Sequence, residues 1–202
     1  MKVLALFSFI PALVSAAAIP SAEVASAFDS GAVKLNGVTY GGTGCNSGTL
    51  SVRVTDDGEI CPIRFRNLVA QAGNNVGIEE SRKFCQINFN LEYPQGWSFS
   101  VLRTDYTGYV KLAADSTAYV QSKYYFSGET EQAVSKVKFE GPVAGDFTRN
   151  EALVWDTWST CGTTNTLLNI HQSVGVTGTG RVATTSADGE LWSDVILKWR
   201  RC

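Results

Sequence analysis

The residues able to do chemistry are few. His171 is the single histidine, and the cysteines are Cys45, Cys61, Cys85, Cys161 and Cys202. A Ser–His–acid triad needs only one imidazole, but no Gly-x-Ser-x-Gly elbow is present to offer the nucleophile. Residues 169–172 have the alternation of a strand, with His171 on the side opposite Ile170. A histidine on a sheet surface accounts for it without a catalytic role. One histidine also removes multi-His zinc sites, and the cysteines include no Cys-x-x-Cys pair. The run Asp56-Asp57-Gly58-Glu59 is too compact for a calcium loop and reads as a hairpin turn. No metal or cofactor is expected.

Paired carboxylates are the next possibility, since glycosidases need two across a cleft. Glu92, Asp105, Asp115, Glu140, Glu151, Asp156 and Asp194 are available, and sequence places none opposite another. Aromatic side chains suggest binding instead. Sugar sites combine flat apolar platforms with a few polar groups. Glu92 follows Asn88 and Asn90 in one polar row, and Tyr106, Tyr109, Tyr124, Tyr125, Trp155 and Trp158 lie near Gly-rich turns. The candidate binding residues are Glu92, Asn90, Tyr106, Tyr109, Tyr125 and Trp155. No catalytic residue is assigned.

Composition sets the compartment and the class of partner. Of 202 residues, 44% are hydrophobic and 18% charged, which excludes wholesale disorder. A net charge of −2 gives no footprint for nucleic acid. Met1-Lys2, an apolar run over 3–14 and the small residues Val14-Ser15-Ala16 read as a secretory signal peptide cleaved after Ala16 or Ala18. That run is shorter than the ~20 residues a membrane span needs, so no membrane is expected. There is no Asn-x-Ser/Thr sequon. In an oxidising compartment the cysteines form bridges. Five of them imply two disulfides and a leftover thiol, and spacing alone leaves the choice open.

The elements that must position these groups are strands. Residues 84–93 put Cys85, Ile87, Phe89, Leu91 and Tyr93 on one side and Gln86, Asn88, Asn90 and Glu92 on the other, the mark of a half-buried strand. Further strands are predicted over 50–54, 60–65, 67–71, 97–101, 109–112, 118–126, 135–139, 153–158, 167–172, 181–185 and 191–200. Asp57-Gly58 and Asp188-Gly189 supply turns. No window has helical periodicity. The expected fold is all-β, a single-domain antiparallel β-sandwich, jelly-roll-like, of about ten strands pinned by two disulfides. The expected organisation is a signal peptide over 1–18, a flexible lead over 19–37 and the sandwich over 38–202.

Several stretches share their order and spacing with a known family. They are Gly42-Thr43-Gly44-Cys45, then Ser81-Arg82-Lys83-Phe84-Cys85-Gln86-Ile87-Asn88, then Tyr93-Pro94-Gln95-Gly96. Asp105-Tyr106-Thr107-Gly108-Tyr109-Val110, Tyr124-Tyr125-Phe126-Ser127-Gly128, Cys161-Gly162 and Trp199-Arg200-Arg201-Cys202 follow. From about residue 41 to 202 the chain resembles the DUF4360 family of small secreted proteins of filamentous fungi. The resemblance supplies no catalytic residues. It implies bridges Cys45–Cys85 and Cys161–Cys202, with Cys61 the departure and a buried free thiol. Cys45–Cys61 and Cys61–Cys85 remain rivals.

The expected function is that of a secreted, extracellular, non-enzymatic, monomeric protein. It would act at the fungal surface or in the host apoplast, as a binder of cell-wall polysaccharide or as an effector or elicitor meeting a host extracellular protein. The alternatives are an extracellular hydrolase with a carboxylate site, and a protease inhibitor presenting the loop 73–80.

Overall fold

The computed structural model describes residues 33–161, 165–182 and 191–202. The signal peptide expected over 1–18, the expected lead as far as residue 32, Gly162, the end of the strand expected over 181–185 and the expected Asp188-Gly189 turn lie outside the described residues.

The described chain is built from twelve strands: β1 (Lys34–Gly41), β2 (Leu50–Val52), β3 (Ile60–Phe65), β4 (Ala70–Ala72), β5 (Arg82–Glu92), β6 (Trp97–Leu112), β7 (Thr117–Phe126), β8 (Ala133–Glu140), β9 (Val143–Ala152), β10 (Asn165–Thr177), β11 (Gly180–Val182) and β12 (Leu191–Arg201). They form two antiparallel sheets. One runs β1-β5-β10-β7-β8; the other runs β2-β3-β12-β6-β11-β4, with β9 also on β6. A 3-10 turn, Ile78–Ser81, sits in the loop over 73–80, and its Ile78 is exposed.

Period-2 patterning explains the layers. In β5, Cys85, Ile87, Phe89 and Leu91 are fully buried, while the residues between them are half-buried on the outer side. Strands β7 and β8 repeat this with Val120, Tyr124 and Phe126, and with Val137 and Phe139. Burying each large apolar side chain contributes about 1.5–3 kcal/mol. Polar atoms also cross the core. The Tyr106 hydroxyl on β6 is hydrogen-bonded to Ser122 Oγ of β7 at 2.7 Å and to Ser135 Oγ of β8 at 2.9 Å. Ser122 donates onward to Gln172 Oε1 of β10 at 2.5 Å, and Thr104 Oγ1 lies 2.5 Å from the Tyr124 hydroxyl.

Four elements differ from expectation, one of them β9, which has no counterpart among the expected strands. β1 begins at Lys34, inside the stretch assigned to the lead. β6 is one strand of 16 residues, and Gly108 lies inside it opposite Phe147 of β9 rather than breaking it. Residues 153–158 alternate like a strand but are not one. Leu153 N–H donates to Leu102 O and Ser159 N–H to Phe99 O, so six residues of this segment pass three residues of β6. No regular ladder has that ratio. The surplus carries the Trp155 ring into the core, stacked on Phe126 at 5.2 Å.

Cys45 is bonded to Cys85 and Cys161 to Cys202. Cys61 is free and 1% exposed on β3, and burial pushes its thiol up to about 12 from 9.0.

Two outcomes follow from the core. The Cys61 thiol should resist iodoacetamide at pH 8 in the native protein and react fully in guanidinium, because only the thiolate attacks. The unfolded chain loses this proton at lower pH than the folded one, so Cys61 should lower stability as pH rises from about 9 to about 12, and Cys61→Ala should flatten that slope. Tyr106→Phe leaves buried hydroxyls short of a partner and should cost about 1–3 kcal/mol in urea unfolding; an unchanged midpoint would refute a structural role for the cross-sheet bonds.

Candidate functional site

The outer face of the five-stranded sheet gathers the polar rows. Because β5 buries its odd-numbered residues, Gln86, Asn88, Asn90 and Glu92 all face outward. Register then sets their neighbours. Asn88 lies between Thr39 of β1 and Asn169 of β10, with Tyr125 of β7 next in the row. Gln86 lies beside His171, followed by Lys123. Phe84, Ser173 and Gln121 form a third row that ends at Lys136 of β8. Arg82, Gly175, Tyr119 and Lys138 form a fourth.

These side chains are held in place by one another. Asn36 Nδ2 donates to Glu92 Oε2 at 2.8 Å, and Asn88 Nδ2 donates to Thr39 Oγ1 at 3.1 Å. Asn169 Nδ2 donates to Ser127 Oγ at 2.9 Å. His171 Nδ1 is 3.3 Å from Gln86 Oε1, and its ring stacks on Phe84 at 5.4 Å. Burial, Lys123 and Arg82, in that order, push the His171 pKa below 6.5, favouring the neutral imidazole. Hydrogen-bonding capacity is left over: Gln86 Nε2, Asn90 Oδ1 and Ser173 Oγ have no partner among the described residues. Buried polar atoms are normally paired; Ser100 Oγ, Trp155 Nε1, Gln172 Nε2 and Ser193 Oγ are likewise without a partner elsewhere among the described residues.

A cleft of about 300 Å³ opens where β7, β8 and β10 meet, lined by Tyr119, Lys136, Lys138, Glu140, Gly175 and Thr177 among others. Gly175 is what lets it form. A Cβ there would stand 2.4 Å from the Tyr119 ring, so only glycine allows that ring to lie against β10. Lys136 Nζ stands 4.6 Å from the ring centroid.

The sequence candidates divide among three places. Asn90, Glu92 and Tyr125 share this outer face. Tyr109 is on the outer face of the other sheet, beneath the Arg181 guanidinium at 5.2 Å. Tyr106 and Trp155 are 0% and 4% exposed in the core. Tyr119, Gln121, His171, Lys136 and Lys138 complete the face, and the alternation within 117–126 and 133–140 was the signal for most of them. Asp105 and Asp194 are cross-strand neighbours on the other sheet, where Arg103 pairs with Asp105 and Arg64 with Asp194. Among the described residues no group of three or more His, Cys, Asp or Glu side chains could hold a metal ion. No helix there is long and apolar enough to cross a membrane.

The family described as a domain of unknown function, DUF4360, matches residues 31–202. A protein of Arthroderma benhamiae named an uncharacterized secreted protein is 42% identical over 177 residues, which cover 84% of this chain and 72% of that one. Among solved structures, TmCBM61 in complex with β-1,4-galactotriose is 10% identical, with 84% of this chain and 91% of that one covered and a TM-score of 0.31. The family 11 carbohydrate-binding module of Clostridium thermocellum, in complex with a β-1,3-1,4-mixed-linked tetrasaccharide, is 11% identical, with 82% and 94% covered and a TM-score of 0.22. The chain belongs to the DUF4360 family and is a secreted protein.

The charge environment of His171 is open to test. In NMR titration its imidazole should protonate below 6.5, and Lys123→Gln should move that midpoint upward. The unfolded chain takes up this proton first, so the contribution to stability is full above pH 6.5 and falls as pH drops below it. A midpoint unmoved in Lys123→Gln would remove Lys123 as a cause.

Proposed function

We propose that this DUF4360 protein is a non-enzymatic polysaccharide-binding module whose ligand lies across the outer face of the five-stranded sheet. The observation that carries the reading is the set of outward rows on β5 and β10. Asn88, Asn169 and Gln86 are tied to their neighbours, Asn90 stands beside them on β5, Glu92 is at one end and tyrosines are on β7.

Sugar hydroxyls donate and accept at once. A carboxamide does the same from one side chain, so a row of amides can take successive hydroxyls in either sense. Tyrosine rings offer flat apolar area for the C–H faces of a sugar and end in a polar hydroxyl. Side chains already ordered by the sheet lose little freedom on binding. The shape also favours a polymer. Five strands at ~4.8 Å spacing make a face about 20 Å across, wide enough for several sugar units in a row.

The test is retention on insoluble chitin, β-glucan, cellulose, xylan and calcium pectate. The protein should be retained on at least one. Asn88→Ala with Asn90→Ala should weaken that binding about tenfold or more, since each lost hydrogen bond is worth about 0.5–1.5 kcal/mol, with the unfolding midpoint nearly unchanged. Retention on none of the five would end this reading.

A further inference from the structure

The outer face is not uniform in charge. Its β1 side carries Lys34 beside Glu92. Its β7–β8 side carries Lys123, Lys136 and Lys138, projecting outward by the same parity that turns Val120 and Val137 inward, and Arg82 of β5 stands at the far end of the row that runs through Gly175 and Tyr119 to Lys138. None of these four cations pairs with a carboxylate among the described residues. Glu140 is the acid that shares the cleft with Lys136 and Lys138. A chain with net charge −2 thus sets three lysines, none ion-paired with a carboxylate among the described residues, on the β7–β8 half of one face. Lys136 and Lys138 are successive outward residues of β8, and Lys123 of β7 is diagonal to Lys136, a spacing that fits an anionic partner.

Within the same half, the Tyr119 ring lies against Gly175 and forms one wall of the 300 Å³ cleft. Ser173, two residues along β10 and 1% exposed, has the outward parity of His171 and Gly175, and its hydroxyl has no partner among the described residues. Cations, a flat ring and an unpaired hydroxyl donor therefore occupy adjacent rows. Along a strand, outward neighbours stand about 6.7 Å apart, and across strands about 4.8 Å. The cations thus form a spread array rather than one chelating point, which suits a chain with charge repeated along it.

We infer, resting on the polysaccharide reading above, that the ligand is an acidic polysaccharide, its carboxylates taken by Lys123, Lys136, Lys138 and Arg82 and one of its sugar rings by Tyr119. Neutral units continue onto the amide rows of β5 and β10.

The experiment is affinity electrophoresis of the secreted protein in gels holding polygalacturonate, soluble xylan, β-glucan or poly-glutamate, at low and high salt. Polygalacturonate should retard the protein most, with the affinity falling about tenfold from 0.05 to 0.5 M NaCl as screening shortens. Lys136→Gln with Lys138→Gln should lower the affinity about fivefold or more, and the Arg pair at these positions should restore it. Both sites are exposed, so folding is spared. Tyr119→Ala, checked for an unchanged unfolding midpoint, should also weaken binding. Equal, salt-independent binding to xylan or β-glucan would overturn the inference while leaving the polysaccharide reading in place. Equal binding to poly-glutamate would overturn it as simple polyanion attraction. No retardation by any of these sugar polymers would overturn the inference, and together with no retention on chitin or cellulose it would overturn the polysaccharide reading as well.

Discussion

The structure depends on how its two sheets are locked face to face. Apolar packing alone is tolerant of sliding, because a methyl has no directional preference. The Tyr106 hydroxyl does have one: it reaches from β6 across the core to Ser122 and Ser135 on the opposite sheet, and Ser122 passes the chain on to Gln172. The chain ends at Gln172 Oε1, while Nε2 of the same side chain has no partner among the described residues. Once Ser122 and Gln172 are fixed inward, strand parity leaves no choice for their neighbours. Lys123 and Gln121 on β7, and His171 and Ser173 on β10, must face out. The polar outer face is the reverse side of the polar core.

Much of this was legible where one strand carried an unbroken signal. Residues 84–93 alternate without exception, and both faces of β5 follow from that. Residues 136–139, within the strand expected over 135–139, alternate in the same way, whereas Val134 faces out and Ser135 in. The fold class followed from many such short runs between turn residues. Where the alternation could be read in either sense, sequence failed. Tyr106 and Tyr109 are three residues apart and so lie on opposite faces of β6. Nothing local says which faces the core, because the answer is set by serines 16 and 29 residues further on. β9 was not anticipated because it pairs only with β6 and buries little besides Phe147. Trp155 misled twice, once as strand and once as a surface platform, because its alternating segment is anchored at its two ends and displaced between them.

The segment that carries Trp155 also ties distant parts together. Ser159 accepts from the Phe99 N–H and the Tyr93 hydroxyl, its carbonyl accepts from Ser98, and Lys198 Nζ donates to the Trp155 carbonyl. The irregular segment is thereby fixed at its two ends and at the Trp155 carbonyl. The Cys161–Cys202 bridge lies directly beyond it. Cys45–Cys85 does the same work where the chain enters β5. The amide rows of β5 are therefore anchored covalently at one end.

The buried Cys61 thiol bears on the order of events during oxidation. In an unfolded chain it lies 16 residues from Cys45 and 24 from Cys85, whereas the native partners are 40 apart. Shorter loops close more readily, by about 0.5–0.8 kcal/mol on the length term alone, so a flexible chain would favour the wrong bridges. In the folded protein β3 pairs with β12 and Cys61 is buried, which takes its thiol out of exchange with Cys45 and Cys85. Here packing, not loop length, selects the disulfide.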